Sequence, residues 1–158
     1  MRRIIGFHNP EEPYGFLSNW HLSDFSCAQI CYTSMEQYMM YQKAILFGDQ
    51  EIAGQILAAR EPGKIKALGR SVRNYEDSVW VGRRQIIVYR GLLEKFRQNP
   101  ELRQALLATG DAVLAECAVR DRIWGIGLSM QDERRFQMHE WQGMNLLGYA
   151  LMEVRGEL

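Results

Sequence analysis

Two charged residues, Glu36 and Lys43, stand in a stretch that is otherwise largely apolar, residues 33–49 (TSMEQYMMYQKAILFGD). On a helix of 3.6 residues per turn the apolar side chains leave no wide polar face, which is typical of a buried helix. Glu36 and Lys43 are seven residues apart, so they share one stripe at a separation of roughly 10 Å along the axis, too far for a direct ion pair. Because an unpaired charge in a core is costly, each needs another partner, water or a ligand cavity.

Each of these residues also has a purely structural interpretation. Thr33-x-x-Glu36 fits a capping box, in which Glu36 would bond the N-cap amide. Ser34-x-x-Gln37 fits the same box one residue later and would leave Glu36 for another role. Lys43 fits either a buried ion pair or a substrate-facing amine whose pKa is lowered by burial, as a nucleophile requires. Both pairs of alternatives remain open at this point.

A second group of chemically capable residues lies in RDRIWGIG, residues 120–127. Here Asp121 supplies an acid, Trp124 a flat stacking surface, and Gly125 and Gly127 a flexible backbone, and loops of this composition often carry function. The structural alternative is a turn in which Asp121 accepts backbone amides and Trp124 fills the core. The segment lacks the spacing and the Lys of a phosphate-binding loop.

Basic residues form a third group, which could hold a phosphate or could simply be a solvated face. Its members are Lys64, Lys66, Arg70 and Arg73. Farther along, Trp80 and Arg84 share a helix face, and Trp80 could stack on a base or merely pack.

Composition limits the class of protein. A chain of 158 residues fits one domain with a sizeable core, and equal numbers of acidic and basic residues (19 each) give no global field for nucleic acid or membrane binding. Three cysteines without paired spacing argue against a disulfide framework, and three scattered histidines argue against a metal site. No signal peptide and no apolar run of spanning length is present, so we expect a soluble, cytoplasmic protein without metal or cofactor.

Periodicity and turn residues predict mostly helices and a small sheet. We expect strands in RRIIGF (2–7), HLSDFSCAQICYT (21–33, a hairpin) and AVLAECA (112–118), with a loop at 9–20 and an irregular connection at 120–145. Helices are predicted in the 33–49 stretch, QEIAGQILAAR (50–60), PGKIKALGRSV (62–72), EDSVWVGRRQIIVYRGLLEKFRQ (76–98), PELRQALLATG (100–110) and NLLGYALMEVRGEL (145–158). The fold class is therefore mainly α with a small β element (α+β), in a single domain covering 1–158.

Taken together, these segments resemble the YbiA-like NADAR family of N-glycosidases over nearly the whole chain. The resemblance is carried by YGFLSNW (14–20), SMEQYMMYQKAILFGD (34–49), KIKALGRSV (64–72), Trp80 with Arg84, KFRQNPELRQALLATGD (95–111), DRIWGIGL (121–128) and WQGMNLLGYALMEVR (141–155). Met35 and Tyr41 depart from the residues usual in the family. These departures bear on pocket shape, and hence on substrate, more than on chemistry.

The resemblance implies cleavage of a bond between a ribose anomeric carbon and a nitrogen. Carried over position by position, the catalytic set is Glu36, Trp80 and Asp121, with Lys43 forming a Schiff base with the ribose carbon in some members. Breaking a ribosyl C–N bond puts positive charge on the sugar and negative charge on the base, so two carboxyl groups could divide these tasks. The other residues we assign to substrate binding are Gly15, Phe16, Leu17, Ser18, Asn19, Lys66, Arg70, Arg84, Trp124, Gly125 and Asn145.

Three functions follow in order of preference. The first is hydrolysis of a phosphorylated ribosyl-base, such as the phosphoribosylamino-pyrimidine intermediates of riboflavin synthesis. The second is removal of ADP-ribose from guanine in nucleic acid, for which the basic residues could form a local patch. The third is a non-catalytic module that binds ADP-ribose or NAD. All three predict a small phosphorylated ligand as partner, with ADP-ribosylated nucleic acid in the second, and none predicts a membrane.

Overall fold

The computed structural model describes all residues from Met1 to Leu158. Six α-helices span Met35–Leu46 (α1), Gln50–Ala58 (α2), Pro62–Arg70 (α3), Asp77–Gln98 (α4), Pro100–Leu107 (α5) and Leu146–Glu157 (α6). Four strands span Ile4–Phe7 (β1), Leu22–Cys27 (β2), Ile30–Ser34 (β3) and Val113–Glu116 (β4), and short 3₁₀ turns cover Gly15–Leu17, Glu133–Phe136 and Met138–Glu140. The predicted mainly helical fold with a small β element is confirmed.

The chain divides into two compact units. We call Leu22–Asn99 the central unit; it contains β2, β3 and α1 to α4. We call Met1–His21 together with Pro100–Leu158 the terminal unit; it contains β1, α5, β4 and α6.

In the central unit, α1 is the buried helix that the sequence predicts. It packs against α2, α3 and α4, and every residue from Met35 to Met40 is buried. Two glycines allow this close packing, because a Cβ on Gly69 of α3 would collide with Met40 and a Cβ on Gly91 of α4 would collide with the Tyr38 ring. Charged side chains on α1 are therefore surrounded by residues of the neighbouring helices.

The β2–β3 hairpin leads directly into α1. Its two-residue turn, Ala28 and Gln29, has positive φ at both positions (49° and 69°), as a type I′ turn requires. The outer side of β2 is closed by the Gln98 side chain, whose amide exchanges two 2.7 Å hydrogen bonds with the Ser26 main chain. Ser34, the last residue of β3, is the N-cap of α1.

In the terminal unit, β1 and β4 form a parallel pair in which Phe7 lies opposite Glu116. α6 packs against β4. Next to this pair, a cluster of buried apolar residues joins β4 to the loop that follows it: Ala115, Cys117, Ile126 and Leu128. The loop at 121–127 is thus anchored to the strand that precedes it.

None of the helices combines the length and the apolar character that crossing a membrane would require.

Candidate functional site

The residues predicted to carry chemistry fall into two groups, one in each unit. In the central unit, Glu36 lies in the first turn of α1 and is only 5% exposed. The helix is capped by Ser34, whose Oγ accepts from the Gln37 amide at 3.1 Å, while Gln37 Oε1 accepts from the Thr33 amide at 2.7 Å. The later capping register is therefore the one formed. Glu36 is buried without acting as the helix cap.

Lys43, two turns further along α1, is half-buried. Its Nζ donates to the carbonyl oxygen of Gly69, in the last turn of α3, at 2.8 Å, and lies 4.7 Å from the centre of the Tyr75 ring. Burial lowers the pKa of Lys43; the negative charge of Glu36 opposes this effect, and the positive charge of Arg70 adds to it. Burial therefore increases the fraction of neutral amine, the form able to attack a carbon.

Tyr75 is a residue of this region that the sequence analysis missed. Its ring contacts Lys43 and lies 5.2 Å from the ring of Phe47, and its hydroxyl donates to Asp77 Oδ1 at 2.7 Å. Burial, followed by the hydrogen bond to Asp77, raises the pKa of Tyr75 to about 12. Its sequence neighbours, Asn74 and Glu76, are typical of any turn before a helix, so the only available signal was its aromatic character.

Trp80 and Arg84 lie one turn apart on α4, and both are buried (7% and 8% exposed). Arg84 acts electrostatically on Tyr75, which places its charge near that ring. The Nε of Arg84 is buried and has no hydrogen-bond partner in the protein. A buried guanidinium N–H without an acceptor favours an anionic ligand, because burying an unpaired cationic donor is costly.

The basic group divides into two parts. Arg73 lies beyond the end of α3, and its side chain and backbone bind the buried Asp49 through three hydrogen bonds of 2.9 to 3.2 Å. These bonds, with the Arg73 side chain contributing most, hold the pKa of Asp49 well below its usual range. Arg73 therefore forms an ion pair with Asp49, unlike the other three members of the predicted basic group. The cations that remain exposed on α3 are Lys64, Lys66 and Arg70.

In the terminal unit, Asp121 is half-buried and its Oδ1 accepts from the amides of Ile123 (3.0 Å) and Trp124 (2.8 Å). The turn role considered as the structural alternative is therefore formed. The Trp124 side chain is half-buried, so it is neither a core residue nor a fully exposed one.

Gly125 and Asn145 support this loop. A Cβ on Gly125 would lie 2.9 Å from the carbonyl oxygens of both Asp121 and Glu116, so only glycine fits without displacement. Asn145 is fully buried with positive φ (53°); its Oδ1 accepts from the Glu116 amide at 3.0 Å and its Nδ2 donates to Leu114 O at 2.9 Å. The geometry favours a positioning role for both residues; their contact with substrate stays a prediction.

The five residues of segment 15–19 differ in burial and in hydrogen bonding. Gly15 lies where a Cβ would collide with the Pro10 main chain, and Leu17 is fully buried in the core. Phe16 is half-buried, and Ser18 Oγ accepts from the Trp20 amide at 3.1 Å. Asn19 is 7% exposed, and its buried Oδ1 has no hydrogen-bond partner. Of the five predicted residues, Asn19 is the one whose polar group best suits a ligand.

Sequence reasoning missed a second residue, Glu116, at the end of β4. It is 9% exposed, and its Oε1 lies 3.2 Å from Nδ1 of His8, a residue 108 positions away in the sequence. Because the contact is so distant in sequence, no local pattern could have identified it.

The same fold occurs in a solved structure. The NMR structure of the E. coli protein YbiA matches this chain with a TM-score of 0.81 at 29% identity, covering 99% of this chain and 84% of that one. This chain therefore has the same fold as YbiA, which is mainly helical with a small β element.

Sequence comparison identifies the family. The model of the NADAR domain family matches residues 6–158, and the chain belongs to this family. N-glycosidase R617 of Acanthamoeba polyphaga mimivirus is 44% identical over 126 residues, 80% of this chain and 74% of that protein. A riboflavin biosynthesis protein of Vibrio vulnificus is 32% identical over 158 residues, 100% of this chain and 39% of that protein. The resemblance inferred from the sequence segments is confirmed.

Proposed function

We propose that the protein is a hydrolase of N-glycosyl bonds that cleaves a phosphorylated ribosyl-base. The observation that carries this proposal is the buried Glu36 on the same helix as Lys43, an amine whose pKa is lowered by burial and whose surroundings include a second cation, Arg70. Relatives named N-glycosidase support the reaction type.

The chemistry suits these side chains. As the ribosyl C–N bond breaks, positive charge grows on the sugar ring, and a carboxylate such as that of Glu36 stabilises it. Lys43 offers a second route, in which its neutral amine displaces the base from the anomeric carbon and the base leaves with a proton. The ring C1–O bond then opens to an imine, which water hydrolyses to regenerate the amine and release the sugar phosphate. Both routes give free base and sugar phosphate.

The phosphate of the substrate is assigned to cations of the central unit. Arg84 has a buried N–H without an acceptor, Arg70 is exposed on α3 and acts electrostatically on Lys43, and Lys66 is exposed on the same helix. Arginine is well suited to phosphate because its planar fork can donate two bonds at once. Trp80, on the same helix as Arg84, is the candidate of this unit for stacking on the base.

The test measures the release of free base and sugar phosphate by mass spectrometry. The purified protein is given a phosphoribosylamino-pyrimidine, the substrate class suggested by the relative named for riboflavin biosynthesis. We expect release by the wild type and its loss in Glu36→Gln, with Glu51→Gln, an exposed glutamate of the same unit, as the matched control. Absence of release from every ribosyl-base offered, together with tight ligand binding by calorimetry, would favour a non-catalytic binding module.

One observation favours a second substrate, ADP-ribosyl-guanine in nucleic acid. The central unit contains eleven Lys and Arg residues against eight Asp and Glu residues, although the whole chain is neutral. A local excess of cations attracts a phosphate backbone, and such binding weakens as salt is raised. Removal of ADP-ribose from a modified DNA, with affinity that falls steeply between 50 and 200 mM salt as roughly expected for backbone contacts, would select this substrate.

A further inference from the structure

The connection between α3 and α4, residues 71–76, carries the Tyr75 ring that contacts Lys43. The segment forms neither helix nor strand, and its main chain turns at Asn74, which has positive φ (61°). Tyr75 is 40% exposed, so burial of its own side chain constrains it only in part. The position of the ring therefore depends on what holds the main chain of this connection.

Asp49 is the residue that links this connection to the start of α2. Its side chain is fully buried, and the carboxylate accepts hydrogen bonds from the Ile52 amide (3.1 Å) and from the amide (2.9 Å), Nε (3.2 Å) and Nη2 (2.9 Å) of Arg73. A buried carboxylate requires such donors, and Arg73 supplies most of them. Because one bond is made to the Arg73 main chain, it fixes the backbone two residues before Tyr75.

Asp49 is itself fixed relative to the last turn of α1, which carries Lys43. The Asp49 amide donates to the carbonyl oxygen of Ala44, the residue after Lys43, at 2.9 Å. Gly48, with positive φ (74°), allows the chain to reverse between α1 and α2. Asp49 is therefore a short link between the helical turn of Lys43 and the connection that carries Tyr75.

The Tyr75 ring meets two residues from the end of α1. Its centre lies 4.7 Å from Lys43 Nζ and 5.2 Å from the centre of the Phe47 ring. The Tyr75 hydroxyl donates to Asp77 Oδ1 at 2.7 Å, which fixes the far end of the side chain. With the backbone held through Arg73, these contacts define one position for the ring beside the amine.

We propose that Asp49 is a positioning residue of the candidate site: its bonds to Arg73 hold the Tyr75 ring against the Lys43 amine. This inference rests on the proposed function for the part that Lys43 plays in cleavage. The amine then has two fixed neighbours, the ring and the Gly69 carbonyl that Nζ binds. Constraints of this kind orient an attacking group before it reacts.

Nuclear Overhauser effects between the Tyr75 ring and the Lys43 side chain test the geometry without any substrate. Asp49→Ser retains a hydroxyl that can cap α2 but offers no second oxygen to Arg73. We expect the Tyr75–Lys43 cross-peaks of the wild type to be lost in Asp49→Ser. Cross-peaks of unchanged intensity in this variant would overturn the proposal.

The matched control is Asp132→Ser in the terminal unit. Asp132 also caps a short helical turn and binds the amide and guanidinium of an arginine, Arg134, at 2.8 to 3.1 Å. We expect this variant to keep the Tyr75–Lys43 cross-peaks. Their loss in Asp132→Ser would show that the effect is not specific to Asp49 and would overturn the proposal.

Arg73→Gln tests the same contact from its exposed partner, in case Asp49→Ser does not fold. The Arg73 side chain is 63% exposed, and the main-chain bond to Asp49 remains in this variant. We expect the Tyr75–Lys43 cross-peaks to be weakened and not abolished. Full intensity in Arg73→Gln would show that the guanidinium does not hold the ring, contrary to the proposal.

A double-mutant cycle of kcat/KM tests the consequence for the reaction. If Asp49 acts through Tyr75, Asp49→Ser should lower kcat/KM by no more than the roughly tenfold loss expected for one orienting contact, and adding it to Tyr75→Ala should cause no further loss. Losses that multiply in the double variant would overturn the positioning role. Failure of the wild type to cleave any ribosyl-base would refute the proposed function, and the cross-peaks would still decide whether Asp49 positions Tyr75.

Discussion

At the residue scale, the central question is whether Lys43 acts as a nucleophile or as a charge at the end of α3. Its Nζ is bound to the Gly69 carbonyl, a favourable place for a cation, yet burial lowers its pKa. The bond to Gly69 is compatible with reaction at Nζ, because the carbonyl accepts only one of the three N–H donors of the ammonium group.

Borohydride trapping separates these two roles. If Lys43 forms an imine with ribose, reduction during turnover will leave the sugar phosphate covalently attached to the protein, as measured by intact mass. Lys43→Arg keeps a donor for Gly69 but cannot form the imine, so we expect it to lose the adduct while retaining most of its thermal stability. An adduct of the same yield in Lys43→Arg would place the attachment elsewhere.

Tyr75 allows a paired test beside Lys43. Tyr75→Ala removes the ring that covers the amine, and we expect kcat/KM to fall about tenfold, the order of effect of losing one orienting contact. Tyr75→Phe keeps the ring and loses only the bond to Asp77, so its loss should be smaller. Equal losses in the two variants would assign the effect to the hydroxyl and not to the ring.

At the element scale, side-chain amides hold the segments that carry the candidate residues. Gln37 Nε2 donates to the Ile56 and Ala59 carbonyls at the end of α2, and Asn145 bonds the main chain of β4. Neither arrangement is visible in local sequence, since the partners are 19 to 31 positions away.

Asn145→Ala tests the support of the 121–127 loop. It leaves the buried Glu116 amide and Leu114 carbonyl unpaired, and we expect it to lower the free energy of unfolding by about 2–4 kcal/mol in urea denaturation. Asn74→Ala is the matched control, because Asn74 also has positive φ (61°) but is exposed. A loss in Asn74→Ala as large as that in Asn145→Ala would attribute the effect to backbone conformation alone.

The elements themselves were largely predictable, whereas the contacts among them were not. The apolar run around Met39 predicts the buried α1, and Pro62 marks the first turn of α3 as expected. The pattern could not choose between the two capping registers, because Thr33 and Ser34 both satisfy the rule. The bond from Lys43 to Gly69 and the pairing of Arg73 with Asp49 depend on tertiary packing.

At the scale of the whole molecule, a buried lysine links stability to pH. Lys95 is fully buried in α4, and burial lowers its pKa to about 7 from 10.5. Between these values the unfolded chain binds a proton that the folded chain does not, so the free energy of unfolding rises with pH from about 7 upward, by at most about 1.4 kcal/mol per pH unit.

Chemical denaturation at pH 7, 8 and 9 measures this slope. Subtracting the values for Lys95→Met isolates the contribution of Lys95 from that of other groups, such as Cys117, whose pKa burial raises to about 12. We expect the wild type to gain stability relative to Lys95→Met over this range. A difference that does not change with pH would show that Lys95 remains charged in the folded protein.

The most direct test of the central claim is the ratio of kcat/KM for ribosyl-base cleavage between the wild type and Glu36→Gln. A carboxylate that stabilises charge at the reacting sugar should give a loss of about 100-fold or more, with the melting temperature kept. Contributions of this kind are on the order of 100-fold. If the wild type is active and Glu36→Gln lowers kcat/KM by less than about threefold, the assignment of Glu36 to the reaction is contradicted.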